Sequence, residues 1–123
     1  MPYIEGFVIP VALADKDRFI AFSEEIDAIF IEHGATRVWE CWGDDVPRGK
    51  QTDFYRAVGA REDEAVCFSW IEWPDKETRE RQMARLLDAM KTDPRFDPET
   101  NPPPFDGARM IFGRFQPVVT MGE

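Results

Sequence analysis

The alternation of apolar and polar positions along this chain predicts four strands, because rings and β-branched residues recur in four short runs. None of these runs has the plain polar face of a strand with one side in water. Two of them instead combine acids with bulky rings, Glu40 to Pro47 and Phe68 to Trp73. Such a sheet needs a cover on both faces, and a chain of this size has helices for only one. The predicted strands are residues 3–11, 36–42, 65–73 and 109–119.

Two helices are predicted between the strands from apolar positions spaced three and four residues apart. Asp15 is expected to cap the first helix, and Gly34 can take the left-handed conformation that ends it. Asp75 is expected to cap the second, which Pro94 ends. The predicted buried positions are Phe19, Phe22, Ile26, Ile29, Phe30 and His33 in the first helix, and Met83, Leu86, Leu87 and Met90 in the second.

The remaining segments carry turn and loop signals. Residues 44–51 contain Pro47 and Gly49, a composition typical of turns, and residues 52–58 are predicted to form a short extra strand. Five prolines lie within residues 93–107, and because proline cannot donate to a sheet ladder, this segment is expected to form a loop outside the sheet.

The order strand, helix, strand, strand, helix, strand predicts an α+β domain of the ferredoxin-like split β-α-β type over residues 1–123. In this topology the sheet is antiparallel and both helices cover one face. The other face would then expose more apolar surface than a monomer tolerates. A homodimer in which two such faces meet across a twofold axis would remove that surface from water.

Composition limits the possible partners. Apolar residues make up 43% of the chain and rings 13%, which indicates a globular fold despite a net charge of −9. Because acids outnumber bases and no basic cluster is present, nucleic acid is not expected as a partner. The chain has no apolar run of membrane-spanning length and no leader-like start, so neither a membrane nor secretion is expected, and the predicted location is the cytoplasm.

Seven short motifs follow one another along the chain: Glu5–Val8, Gly34–Arg37, Glu40–Pro47, Thr52–Phe54, Phe68–Glu72, Asp93–Arg95 and Pro104–Gly107. In this order they resemble the bacterial YbaA-like family, a family of unknown function. The resemblance runs over nearly the whole chain, and it implies a dimeric α/β barrel, the arrangement shared with small cofactor-free monooxygenases. It implies no particular reaction.

Glu40 is the sharpest candidate for chemistry, because it is predicted in mid-strand on a covered face, where a carboxylate needs a partner or a proton. Two interpretations are open. Glu40 can act as a general base in the interior of a barrel, or it can form a structural ion pair with Arg37, Arg56 or Arg109. The ion pair is the more common use of such a group.

The rings of Trp42, Phe68 and Trp70 are predicted to form a wall for a flat organic ligand beside Glu40. As packing in a core or an interface, the same rings need no ligand.

Glu5 and Glu72 form a second candidate pair, because antiparallel pairing of the first and third strands brings them near each other. Two close carboxyls raise one pKa and can supply an acid and a base to a ligand. The alternative, which is favoured, is that both lie at exposed strand ends.

Two functions are therefore predicted. The first is a homodimer that binds a small organic molecule in a barrel cavity and catalyses a cofactor-free reaction such as oxygenation or isomerisation. The second is a non-catalytic structural or interaction module whose interior is filled by its own side chains. No spacing typical of a metal site or of a cofactor loop is present in the sequence, so neither a metal nor a cofactor is expected.

Overall fold

The computed structural model describes residues 1–122, which form one antiparallel sheet with the two long helices on one side. The strand order across the sheet is β2-β3-β1-β4, as a split β-α-β topology requires. The long strands β1 and β3 pair along their whole length in the centre, with Tyr3 opposite Trp73 and Ala12 opposite Glu64. The predicted ferredoxin-like α+β class is confirmed. The strands are β1 (Tyr3–Ala12), β2 (Arg37–Trp42), β3 (Glu64–Trp73) and β4 (Ile111–Phe115).

The helices are α1 (Lys16–Glu32), α2 (Phe54–Ala57) and α3 (Lys76–Thr92), with short 3-10 turns at Leu13–Asp15 and Pro94–Phe96. Gly34 follows α1 with φ 99°, which confirms its predicted role as a left-handed stop. Asp75 caps α3 by accepting a hydrogen bond of 2.7 Å from the backbone N–H of Thr78, as predicted. Asp15 makes no side-chain cap, because the preceding 3-10 turn already leads into α1.

Two predicted elements are corrected by the structure. Residues 52–58 contain helix α2 rather than an extra strand, because the Asp53 carboxylate accepts hydrogen bonds from the N–H groups of Arg56, at 2.8 Å, and Gly49, at 3.1 Å. The last strand is also shorter than residues 109–119, because its pairing with β1 covers only Ile111 to Phe115. The Asp53 cap therefore determines the first of these two elements, and the extent of pairing with β1 determines the second.

Two clusters of buried side chains form the core between the sheet and the helices. One contains Ile29, Ile71, Trp73 and Leu86, and the other contains Ile9, Val11, Phe19 and Cys67. Helix α3 buries less than predicted. Leu86 is buried, but Leu87 and Met90 are each 48% exposed, so that helix touches the sheet along a narrow stripe.

Candidate functional site

The two faces of the sheet separate residues that the sequence placed in one pocket. Trp42 lies on the helix-covered face, opposite Cys67 in the strand register and 6.0 Å from the ring of Phe19 in α1. Phe68 and Trp70 lie on the other side, because side chains alternate along a strand. A single wall of Trp42, Phe68 and Trp70 around Glu40 is therefore not formed.

The uncovered side of the sheet, which we call the open face, is almost wholly apolar. Trp39 and Trp70 stack at its centre with ring centroids 5.7 Å apart, and Phe54 from α2 meets Phe68 edge-on at 6.1 Å. Trp39 and Phe68 remain 47% and 45% exposed in the single chain. A shallow groove of about 630 Å³ crosses this face, bordered by Ile4, Gly6, Phe7, Val8, Phe68, Trp70, Ile111, Phe112, Gly113, Phe115, Gln116 and Pro117.

Glu5 and Glu72 do not form a pair. The strand register places Glu5 opposite Ile71 and Glu72 opposite Ile4, so the two carboxylates point to opposite faces. Glu72 is half-buried on the open face, where it lies 3.8 Å from Arg37. Glu5 is buried on the helix side, so the expectation that both are exposed is wrong for Glu5.

The Glu5 carboxylate is held by hydrogen bonds from two side chains of the protein itself. Its Oε1 accepts hydrogen bonds from Trp73 Nε1 at 2.9 Å and from Arg79 Nε at 2.6 Å. Both donors are fixed, since Trp73 is fully buried in the core and Arg79 belongs to α3. This network ties α3 to the centre of the sheet, and it leaves Glu5 no free oxygen lone pair on Oε1 for a ligand.

A cavity of about 210 Å³ lies between the two core clusters, under α1, and we call it the inner cavity. The strand segment 69–71 forms its floor, α1 forms one wall, and the proline-rich segment forms its roof. It is bordered by Phe7, Ile9, Phe19, Phe22, Ser23, Ile26, Asp27, Phe30, Val38, Glu40, Ser69, Trp70, Ile71, Phe96, Phe105 and Met110.

The roof is fastened at both ends by arginine contacts. Arg95 binds Glu32 of α1 through two hydrogen bonds, at 2.7 and 3.1 Å, while Arg18 of α1 donates to the carbonyl oxygen of Pro102 at 2.8 Å. Beyond the prolines, Arg109 binds Glu64 through two bonds of 2.7 Å. The predicted absence of this segment from the sheet is confirmed, and Phe96 and Phe105 from this segment border the inner cavity.

Two carboxyl groups, Asp27 of α1 and Glu40 of β2, line the inner cavity, and we call them the carboxyl pair. Burial raises the pKa of Asp27 to about 7. Burial also raises the pKa of Glu40 to about 8, with a further contribution from the Asp27 charge, against the opposing effect of a hydrogen bond from Ser69. Near neutral pH the two groups therefore share the cavity in a partly protonated form.

No basic side chain among residues 1–122 lies within salt-bridge distance of either member of the carboxyl pair. The three arginines proposed as partners of Glu40 are engaged elsewhere: Arg37 with Glu72, Arg56 with Asp53, and Arg109 with Glu64 and Asp106. The structural ion pair expected for Glu40 is therefore absent from the described chain. The catalytic role of Glu40 stays a prediction.

A second concavity, the outer groove, reaches the carboxyl pair from solvent between α1 and the sheet edge at β2. Its volume is about 390 Å³. Because it shares the carboxyl pair with the inner cavity, the two acids stand between the cavity and the surface. The outer groove is bordered by Lys16, Phe19, Ile20, Ser23, Glu24, Asp27, Val38, Glu40 and Trp42.

Asp27 is the site residue that the sequence reasoning missed, although a signal was present. It lies four residues after Ser23 and eight after Phe19, and therefore on the same helical face as the apolar stripe of α1. A polar residue inside such a stripe either has its hydrogen bonds satisfied within the core or has a functional role. Only the fold shows that Asp27 shares its cavity with Glu40.

The carboxyl pair predicts a pH dependence of stability with a definite sign. Both folded pKa values, about 7 and about 8, lie above the ordinary values of 3.8 and 4.5, so the folded state holds protons that the unfolded chain has released. The free energy of unfolding should therefore fall as the pH rises through this window. Between pH 5 and 8, we expect the free energy of unfolding of wild type to fall by on the order of 2 kcal/mol more than that of the double variant Asp27→Asn/Glu40→Gln. Urea titrations at each pH measure this difference.

Carboxyl groups elsewhere whose pKa values are lowered do not interfere with this measurement. Hydrogen bonds from Arg109 lower the pKa of Glu64 to about 2, and hydrogen bonds from Arg95 lower that of Asp93 to about 2. These groups lose their stabilising contribution only as the pH falls below about 4.5, outside the window used. Equal pH slopes in wild type and the double variant would contradict the assignment of the raised pKa values.

The described residues show no group of three or more His, Cys, Asp and Glu side chains placed to hold a metal ion. The Asp53 carboxylate caps α2 by accepting a hydrogen bond from the backbone N–H of Arg56. None of the helices within residues 1–122 has the length and apolar character needed to span a bilayer.

Comparison with known structures places the fold among ferredoxin-like proteins. A dimeric ferredoxin-like protein from an uncultured marine organism superposes with a TM-score of 0.53 over 100% of both chains, at 14% sequence identity. At that identity the likeness concerns the fold alone. It agrees with the strand order and with the placement of the helices.

Sequence comparison identifies the family. Residues 2–107 match the model described as a protein of unknown function, DUF1428. The uncharacterized protein YbaA of Escherichia coli K12 is 43% identical over 119 residues, which cover 97% of this chain and 98% of the relative. The YbaA protein of Escherichia coli O157:H7 matches with the same values. The chain belongs to the DUF1428 family, and its predicted resemblance to the YbaA-like proteins is confirmed.

Proposed function

We propose that this protein is a homodimer closed by its open faces, in which each copy binds a small, mostly apolar molecule in the inner cavity. The carboxyl pair exchanges a proton with that molecule. One observation carries this proposal: two acids without a basic partner in the described chain line an unfilled cavity whose other walls are largely apolar.

The distribution of charge supports a second copy of the chain as the cover of the open face. At a net charge of −9, two copies repel each other wherever their acids face. The centre of the open face carries rings and aliphatic side chains, and its Arg37–Glu72 ion pair lies at one end. Two identical chains can therefore approach there without opposing like charges. The ferredoxin-like protein of similar fold from an uncultured marine organism is dimeric, which supports a dimer here as well.

The size of the inner cavity limits the ligand. A cavity of about 150 Å³ is enough for benzene, so about 210 Å³ holds one ring with a small substituent or a short branched chain. A concavity of this volume supports a ligand-binding function over the alternative of a filled, non-catalytic module, because small-molecule sites are concave and largely apolar.

The carboxyl pair supports proton transfer without a cofactor. A base and an acid with pKa values near the working pH transfer protons most effectively, and Glu40 and Asp27 have their pKa values raised to about 8 and about 7. In the partly protonated pair, one carboxylate can take a proton from the ligand while the other carboxyl donates one. Proton abstraction and return of this type is the chemical core of an isomerisation.

Binding of benzamide, a neutral ring compound, tests the proposal. Wild type is expected to bind it with a Kd in the millimolar range or below, measured by ligand-observed NMR. Ser23 borders both the inner cavity and the outer groove, so Ser23→Met places a longer side chain in the cavity and is expected to weaken binding at least about tenfold. Glu25→Gln, on the exposed side of the same helix, serves as the control and should bind like wild type.

Failure to bind benzamide and its charged analogues benzamidine and benzoate at millimolar concentration would contradict the proposed ligand site. Equal binding by wild type and the Ser23→Met variant would contradict its location. Native mass spectrometry of the protein as purified adds an independent measurement, because a molecule that fits the inner cavity should be retained by wild type and lost from the Ser23→Met variant.

A further inference from the structure

We propose, building on the proposed ligand site, that the inner cavity selects small organic cations, amines or amidines carried on a ring or a short apolar chain. The proposal rests on two features that occur together in the cavity. Its only acidic side chains, Asp27 and Glu40, have no basic partner among residues 1–122, and the surrounding wall is rich in aromatic rings.

The charges around the carboxyl pair leave room for a cation. From α1, Lys16 and Glu24 border the outer groove but not the inner cavity, and the Lys16 ammonium lies 5.5 Å from the centroid of the Trp42 ring. From β3, burial and the nearby Glu40 charge raise the pKa of Cys67 to about 12, so its thiol stays neutral. The roof contributes Phe96, Phe105 and Met110, which carry no charge. A positive ligand therefore meets two acids and no competing base inside the cavity.

The aromatic wall adds a second attraction for the same ligand class. The faces of aromatic rings attract cations, and the effect grows when the cation is removed from water. Five phenylalanine rings from α1 and the roof border the cavity, and the ring of Phe105 meets those of Phe19 and Phe22 edge-on, at 6.4 and 5.8 Å. An anionic ligand would be repelled both by the negative faces of the rings and by the carboxylates. The rings are Phe19, Phe22, Phe30, Phe96 and Phe105.

The proton balance gives the inference a distinctive signature. When the pair holds one proton, an arriving cation takes the place of that proton, which leaves to solvent while both carboxylates remain to neutralise the ligand. One proton is then released for each cation bound. Affinity must rise with pH by up to about tenfold per unit and level off once the pair is fully ionised. Binding of an anionic ligand would show the opposite dependence.

Three ligands of one shape and different charge test the inference: benzamidine, which is cationic between pH 6 and 9, benzamide, which is neutral, and benzoate, which is anionic. Benzamidine is expected to bind wild type at least about tenfold more tightly than benzamide at pH 8, as charged hydrogen bonds imply. Its affinity should increase from pH 6 to 8, with proton release detected by calorimetry in buffers of different ionisation enthalpy. Benzoate should bind more weakly than benzamide.

Variants separate this inference from the general ligand site. Asp27→Asn/Glu40→Gln should lose the advantage of benzamidine and its pH dependence while still binding benzamide. The control Glu25→Gln removes an exposed acid from the same helix and should change benzamidine affinity less than about twofold, because exposed charges are screened. Benzamide binding without preference for benzamidine would overturn the cation inference alone. Absence of binding by all three would overturn the ligand site itself.

Discussion

Replacing Glu5 with alanine is expected to lower the free energy of unfolding by about 3–5 kcal/mol, because the change leaves a buried arginine without its counter-charge. Arg79 has only 12% of its side chain exposed, and its Nε lies 2.6 Å from the Glu5 carboxylate. The same substitution removes the acceptor of Trp73 Nε1 in the core. Urea titration at pH 7 measures the loss, and thermal unfolding should shift by 10 °C or more, about what a loss of this size produces in a small domain.

The matched control is Glu72→Ala, which removes the other acid that the sequence predicted at this end of the sheet. Glu72 makes a single ion pair of 3.8 Å with Arg37, whose side chain is 59% exposed, so its removal should cost less than about 1 kcal/mol. The double variant Glu5→Leu/Arg79→Met should recover most of the stability, because it removes both charges together. Equal losses for Glu5→Ala and Glu72→Ala would show that the buried network does not hold α3 to the sheet.

Replacing Phe68 with aspartate is expected to convert the protein from a dimer to a monomer at low micromolar concentration. Phe68 is 45% exposed in the single chain, so the substitution should cost the isolated fold little. In a dimer closed by the open faces, the same position would bury one aspartate from each copy in the interface, which should weaken association by about a thousandfold or more. Sedimentation velocity compares the variant with wild type. Wild type is expected to be a stable dimer, because the proposed interface has the apolar character of obligate dimers.

Leu87→Asp provides the control for assembly. Leu87 is 48% exposed, close to the value for Phe68, but it lies on α3, on the opposite side of the sheet. This variant should remain dimeric. If Leu87→Asp dissociates the protein and Phe68→Asp does not, the helices form the interface and the proposed closure of the open face is wrong. A monomeric wild type would remove the proposal altogether.

The sequence predicted the secondary structure well wherever one local signal had no competitor. The four strands, the stop at Gly34 and the Asp75 cap follow from residue type and spacing alone. The segment 52–58 was mispredicted because its aromatic residues favour a strand. The Asp53 side chain instead caps the N-terminus of a helix and stabilises its first turn. Propensity and capping conflict there, and the cap decides the outcome.

The candidate site was only partly predictable, for a geometrical reason. Alternation along β2 correctly placed Glu40 and Trp42 on one face of the sheet. No pattern within β3 shows which of its residues lie on that same face. The register settles it: Glu40 lies opposite Ser69, so Phe68 and Trp70 point away. A shift of one residue would have reversed the result.

By itself, the sequence determined the four strands and the two long helices, their order, and the existence of an apolar sheet face that the long helices leave uncovered, because these depend on periodicity and on chain length. Only the tertiary structure decided that Glu5 is held by Trp73 and Arg79, and that Asp27 joins Glu40 in a cavity under the proline-rich roof. Such contacts join residues that are distant along the chain, so they depend on strand register and helix placement, which no single segment of sequence encodes.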